Sequence, residues 1–435
     1  MSKPAYRYLL PMWDGGGTVA PELGVARRLI ARGHSVHVLA DPTIRSQAED
    51  AGCTFTPWAQ APHRTSADPD QDLIHDWETA NPLAMLGRVR DRFIAGPAEA
   101  FAADTADAIE QVQPDVVAPD YLLFGSIIAA QSARVPVVPI VPNIWTLPSP
   151  GVPAIGPGFP LAKGWPGRCR DAALRATVNA LFRRGLPALN AARAARQLPP
   201  LRSFYDQVLD TGRILVLSSP TFDFASPAVP ANVSYTGAIL DEPEWAEPWN
   251  GPSLQNLGDP LVLVGFSSTY QEQAPLLQQV VDGLSSLPVR GIVTLGPTLQ
   301  PGDVLPSHNV EVVPSAPHGP ILRDASLAIT HCGHGTVMKA LAHGVPMVCI
   351  PMGRDQNDTA ARVVHHGAGI RLSPRSSATR IAAAAREVLM DPRFRDNAQR
   401  LSRAIAEEAQ TSDVAAELEA VVTTNGSADA SLELR

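Results

Sequence analysis

The stretch SLAITHCGHGTVMKALAHGVPMVCIPMGRDQND, residues 326–358, decides how this chain is read. Residues 326–330 form a short apolar strand. His331, Gly333 and Gly335 follow before apolar residues at helical spacing begin with Val337, Leu341 and Ala342. Thr336 lies at the start of that helix. Glycines let backbone come close to a ligand, and a helix N-terminus presents unpaired amides and the positive end of its dipole, a combination suited to phosphate. A second strand, residues 346–351, runs out into Gly353, Arg354, Asp355, Gln356 and Asn357. A carboxylate and an amide thus reach the same sheet edge, where they suit sugar hydroxyls.

The same strand-and-helix alternation extends in both directions. Residues 261–266 open this second sheet and end in Ser267, Ser268 and Thr269, hydroxyls placed to meet phosphate; strands at 289–295 and 310–313 follow. At the other end of the chain, residues 6–12 read as a strand, 21–32 as a helix with Leu23, Ala26, Leu29 and Ile30 on one face, and 35–40 as the next strand. That order predicts a parallel sheet with right-handed crossovers. The turn between them carries Gly15, Gly17 and Ala20, with Asp41 closing the following strand, and so satisfies a dinucleotide fingerprint. An NAD-dependent oxidoreductase is therefore one reading of the N-terminal half. Residues 98–112 are helical and 115–118 a strand, which puts Asp120 at the carboxyl edge where parallel sheets bind ligands; capping of the segment from Leu122 is its alternative use. Residues 57–97, with Trp58, His63, His75 and Trp77, read as a variable excursion and an acceptor wall. A further strand at 135–141 precedes a proline-rich stretch, 142–166, with Trp145, expected to loop over the cleft.

HCGHGT followed by AHGVPMVCIPMGRDQNDTAARVVHHGAGI resembles the donor-binding signature of nucleotide-sugar glycosyltransferases of GT-B fold, of the family 1, natural-product and macrolide type. The resemblance implies an α/β chain of two Rossmann-like domains facing each other across a cleft, the last helix crossing back to the first domain. The boundaries expected are 1–225 for the acceptor-binding domain, 226–258 for the linker, 259–422 for the nucleotide-sugar domain and 423–435 for a flexible tail. It gives His331 and Thr336 the diphosphate and Asp355 and Gln356 the sugar, with Ser267, Ser268, Thr269, Gly333, His334 and Gly335 completing the donor site. EVVPSAPHGPIL resembles the family's base-binding loop, with Ser315 where an aromatic residue often stacks, followed by Ala316 and His318. Lys339 stands where relatives often hold the ribose with Glu; a solvent-facing helix residue is the preferred reading. The implied reaction is inverting transfer from a UDP- or dTDP-sugar, with no tightly bound cofactor and no metal required, to a hydrophobic small-molecule hydroxyl such as that of a polyketide, macrolide or phenolic compound.

GTVAPELGVARRLIARGH resembles the family's N-terminal motif, but Thr18 replaces its histidine. The catalytic candidates are therefore Asp120, with Thr18 positioning the acceptor, and Asp14, for which turn capping is the alternative; His63 and His75 are further sources of a base. Trp13, Trp77 and Trp145 are the acceptor-binding candidates. A non-catalytic auxiliary protein that keeps the donor pocket is the third reading beside transferase and oxidoreductase.

Composition narrows the partners. The 435 residues carry 35 Lys and Arg against 43 Asp and Glu, a net charge of -8, with no dense basic run, which argues against nucleic acid. Cys53, Cys169, Cys332 and Cys349 are far apart and show neither zinc nor disulfide spacing. The N-terminus lacks the apolar core of a signal peptide and no run reaches the ~18 apolar residues of a membrane span, so a cytoplasmic protein is expected. Oligomeric state is unspecified by the sequence.

Overall fold

The computed structural model describes residues 5–432 except 80, 225–228, 249–250 and 252–257. Thirteen parallel strands lie in two halves among these residues: β1 Arg7–Pro11, β2 Ser35–Ala40, β3 Thr54–Pro57, β4 Val116–Val117, β5 Ile140–Val141, β6 Ile214–Val216 and β7 Val233–Tyr235, then β8 Leu261–Gly265, β9 Arg290–Thr294, β10 Val310–Val313, β11 Ala325–Thr330, β12 Met347–Cys349 and β13 Gly369–Arg371. The first half orders as β3-β2-β1-β4 and β5-β6-β7, stitched by parallel bridges Val117↔Val137 and Asp120↔Ile140; the second as β10-β9-β8-β11-β12-β13. Both are doubly wound, and each reverses direction beside its first strand, at β1/β4 and at β8/β11. Loops leaving those strands at their carboxyl ends are where such sheets bind ligands.

Alternation along the strands builds a core on each face. Leu9 and Leu39 join one cluster and Tyr8, Leu10 and Val38 the opposite one. In the second half Val262, Val264 and Ile329 face one way, and Leu263, Ala328 and Met347 the other. Such strands are apolar throughout because helices cover both faces. Helix Val19–Ala31 follows β1, helix His334–Ala342 follows β11, and helix Gln356–His365 follows β12.

Several expected boundaries move. The segment 135–141 is a strand only at Ile140–Val141, the rest being held to β4 by isolated bridges. The excursion 57–97 contains helix Pro82–Val89 and a wide π-helical turn, Arg90–Ile94. The first sheet does not end at β6: β7 pairs with it, so the stretch 226–258 expected as linker contributes a strand, while its residues 226–228, 249–250 and 252–257 lie outside the described residues. A sixth strand, β13, extends the second sheet. Two helices, Pro392–Thr411 and Val414–Leu432, close the chain; the second takes in most of the stretch expected as a tail, of which 433–435 lie outside the described residues. It crosses back to the first half as the resemblance implies: Val414, Ala415 and Leu418 enter the cluster of Tyr8 and Leu10, and Glu419 accepts from His34 at 2.9 Å. No described helix is long and apolar enough to cross a membrane.

Candidate active site

The two direction-reversal points face one another across a cavity of about 350 Å³, whose walls come from both halves. The turns nearly touch: a Cβ on Gly16, which has φ of +71°, would lie 2.6 Å from Thr269 Cγ2 and 2.7 Å from Ser268 Oγ. Only glycine fits there.

On the second-domain side, β11 ends at Thr330 and the chain turns through Cys332, with φ of +69°, into the helix beginning at His334. A Cβ on Gly333 would sit 2.7 Å from His331 Nε2, so the small residue lets the imidazole lie across the turn. His331, Gly333, His334, Gly335 and Thr336 all line the cavity, and the amides of the helix's first turn have no intrahelical acceptor. Nδ1 of His331 and Nδ1 of His334 are buried without a hydrogen-bond partner. Burial pushes both imidazoles down to about 4, so both are neutral near pH 7. Ser267, Ser268 and Thr269 line the opposite lip, Ser267 Oγ lying 3.0 Å from Thr269 Oγ1.

Asp355 and Gln356 also reach the cavity, with different freedom. Asp355 Oδ2 accepts from Asn143 Nδ2 at 3.1 Å, and its carboxylate also accepts from its own backbone N–H. The Gln356 amide is committed at both ends, its oxygen to the N–H groups of Met352 and Gly353 at 2.8 and 3.0 Å and its nitrogen to Gln271 at 2.9 Å. Asn143, whose Oδ1 is buried and unpartnered, lines the cavity too and went unnoticed in the sequence.

At the far end the structure corrects two expectations. Ser315 does not line the cavity: it is half-buried, accepting from Glu247 N–H at 3.1 Å and donating to the Trp245 carbonyl at 3.4 Å. Trp245 itself, from the segment joining the domains, supplies an aromatic wall beside His318 and Ala316. Lys339 is not a solvent-facing residue. It is 8% exposed and donates to Glu242 at 2.6 Å, while the other Glu242 oxygen accepts from Gly319 N–H at 2.7 Å. Burial, with Lys339 nearby, pushes His318 down to about 4, another neutral imidazole.

On the first-domain side Thr18 lines the cavity with its hydroxyl oxygen buried and unpartnered. Asp120 lies behind the wall: it is 1% exposed, Oδ1 accepts from Leu122 N–H at 2.8 Å and Oδ2 from the Trp13 indole at 3.1 Å. Of the two uses weighed for Asp120, the cap is present at Leu122 N–H, and the carboxylate stands behind the cavity wall, not in it. Trp13 lines the cavity and gives the buried carboxylate an N–H that threonine lacks. Asp14 does not reach the cavity; it caps its own turn at Gly16 N–H, 3.2 Å, and accepts from Thr43 at 2.8 Å. His63 is turned to the Ala61 carbonyl and His75 to Glu78, so neither faces the cavity. Asp41, the ribose ligand of the dinucleotide reading, is 2% exposed and spends its oxygens on the N–H groups of Asp14 and Arg64 at 2.8 and 2.6 Å. That reading has no exposed carboxylate for a ribose at this position.

Trp145 lines the cavity, anchored by its indole to Ser149 at 2.8 Å. Trp77 does not; it stacks on His75 and meets Tyr270 of the other half edge-on. Met85, Leu86, Phe124, Val178 and Phe182 make the rest of that wall apolar. The stretch 142–156 covers it as the loop reading predicts, pinned to the second half by Gly156 N–H to Asp358 at 2.7 Å.

Residues 279–421 match the family described as Erythromycin biosynthesis protein CIII-like, C-terminal domain. Along 403 residues the chain is 28% identical to 4'-demethylrebeccamycin synthase of Lentzea aerocolonigenes, covering 91% of this chain and 94% of that one. Its fold is similar to that of CalG4, the calicheamicin glycosyltransferase, with a TM-score of 0.75 at 20% identity over 97% of this chain and 99% of that one. It is likewise similar to the glycosyltransferase VinC, solved in complex with dTDP, with a TM-score of 0.69 at 18% identity over 96% and 100% of the two chains.

Proposed function

We propose that this chain, similar over most of its length to glycosyltransferases and of GT-B fold, is a family 1 glycosyltransferase that moves a sugar, with inversion, from a UDP- or dTDP-sugar to a hydroxyl of a hydrophobic small molecule. The observation that carries this reading is one cavity with two chemically different ends. Imidazoles with unpartnered Nδ1 atoms, hydroxyls and a helix N-terminus occupy one side, and Trp13, Trp145, Met85 and Phe182 the other. Anionic diphosphate suits the first and an apolar acceptor the second. In an oxocarbenium-like transfer, charge gathers on the departing diphosphate, and the first-turn amides and the Thr336 hydroxyl are suited to stabilise it by hydrogen bonds beside the uncharged His331. The carboxylate of Asp355 takes a sugar hydroxyl, while Gln356 holds the loop that presents it. Trp245 stacks on the base, in place of an aromatic residue at position 315, and Glu242 meets the ribose.

Incubating the purified protein with UDP- and dTDP-sugars against a panel of phenolic, polyketide and macrolide acceptors, with mass-spectrometric detection of products, tests the proposal. A glycosylated acceptor is expected, with His331→Ala lowering turnover by ~10². Donor binding without any product across the panel would instead support an auxiliary protein, and NADH binding with no nucleotide-sugar binding would reject the reading.

A further inference from the structure

Charge is spread unevenly along the chain. Residues 163–202 hold nine Lys and Arg against a single Asp, in a protein that carries 35 against 43 overall. The stretch comprises helix Gly164–Arg183, helix Leu186–Ala195 and the turn that follows. Four of its arginines are engaged by the fold. Arg170 pairs with Asp171 at 2.7 Å, Arg175 donates to the Val152 carbonyl at 3.2 Å, buried Arg193 donates to the Pro199 carbonyl at 2.7 Å, and Arg196 lies 3.4 Å from Glu99. Lys163, Arg168, Arg183, Arg184 and Arg202 are all exposed, and none meets a carboxylate among the described residues.

The longer helix sets where these cations stand. Its buried residues are Asp171, Val178 and Phe182, and the last two line the cavity together with Arg175. Away from that face Trp165 is 71% exposed, and Arg183 stands about five whole turns further on, so the two share one side over about 27 Å. Lys163 and Arg168 flank the indole at one end. At the other, Arg184 adjoins Arg183, and Phe204 and Tyr205 pack on Phe182, which brings Arg202 to the same end. The exposed positions between include Ala172, Ala173, Ala176 and Ala180.

A helix whose inner face walls the acceptor end of the cavity thus carries, on its outer side, cations without counter-charge and an exposed indole. A second copy of the chain would set these cations against themselves. Nucleic acid would match the charge, but the alanines between offer nothing that reads a base edge. A bilayer with anionic headgroups supplies phosphates for the cations and, for Trp165, the interfacial zone in which indoles settle.

We propose that this face docks the protein on the surface of an anionic lipid bilayer, which places the acceptor end of the cavity one helix away from the leaflet. With alanines between the cations the attraction is mainly electrostatic, and it weakens as salt rises. The docking is independent of the transferase reading; its use, the supply of an apolar acceptor that partitions into lipid, rests on that reading.

Co-sedimentation with vesicles tests this, using phosphatidylcholine alone and phosphatidylcholine with about one third phosphatidylglycerol. Wild type should bind the anionic vesicles at least about tenfold more tightly than the neutral ones near about 0.1 M salt and leave them at about 0.5 M. The triple variant Arg168→Glu, Arg183→Glu, Arg184→Glu should lose at least about tenfold in affinity and Trp165→Ser about threefold, with melting temperatures unchanged because these side chains are exposed. The same reversal of charge on the second half, at exposed positions in Arg375→Glu, Arg380→Glu, Arg386→Glu, should leave binding as in wild type. No preference for anionic vesicles overturns the proposal. An equal loss in the two triple variants also overturns it, since binding would then follow net charge and not this face. Capture by polyglutamate without binding to vesicles overturns it in favour of an acidic protein partner. None of these readouts uses turnover, so a failure here leaves the transferase reading intact, and a failure of that reading leaves the docking intact.

Discussion

His331, His334 and His318 share one property that sets how the donor end handles charge: each is buried and pushed down to about 4. On the proposed reading a diphosphate therefore meets helix amides, hydroxyls and uncharged imidazoles, not imidazolium. Calorimetry with an intact UDP- or dTDP-sugar should give an affinity that stays level between about pH 9 and 6, since no histidine gains a proton there. Were their pKa values ordinary, near 6.5, affinity would tighten as pH fell through that value. Such tightening would refute neutral binding. Residues of this kind were legible because the sequence keeps them together: the six positions 331–336 carry strand end, glycines and helix start in one run. Glu242 was illegible for the opposite reason. It acquires its chemistry from a partner far along the chain, Lys339, and no local pattern records such a pairing.

At the scale of elements, the segment between the sheets does more than join them. Ile239 packs into the first core, Asp241 binds Arg27 and Arg28 of helix Val19–Ala31, Glu242 reaches Lys339, and Ser315 holds the backbone that presents Trp245. Removing the indole with Trp245→Ala should weaken nucleotide-sugar binding about tenfold, within the ~1–3 kcal/mol of a base stacked on an aromatic ring. Ser315→Ala should change it by less than about threefold, because Ser315 touches only backbone there. An unaltered donor Kd in Trp245→Ala, by titration, removes the stacking assignment. This segment and the strands β7 and β13 escaped the sequence reading because three-residue strands carry too few positions for a period. Long buried strands such as β8 and β11, with helices of regular spacing after them, were read to within a residue or two.

The whole molecule is held closed over its cavity by charges that meet between the halves. Arg354, next to Asp355 in the chain, donates to Asp76 at 2.7 Å, lies 3.5 Å from Asp72 and reaches the Gly15 carbonyl at 3.3 Å; Arg362 meets Asp223 at 2.6 Å. Burial opposes the charge of Asp72, yet Arg354 and two backbone N–H groups hold its carboxyl below the usual range. Arg354→Ala leaves two buried carboxylates facing each other and should cost about 3 kcal/mol, seen as a lower urea midpoint together with a raised donor KM. Arg354→Lys should restore little, since one ammonium cannot serve two carboxylates and a carbonyl from a planar fork. A midpoint unchanged in Arg354→Ala would mean that these charges are not what holds the halves together. The closing helix Val414–Leu432 adds a different kind of constraint, one of time. Its residues Val414, Ala415 and Leu418 fill the core that Tyr8 and Leu10 begin, so the first domain to be synthesised is the last to be finished. While the second half is still being made, the first lacks the apolar residues that complete this core and keeps that face open.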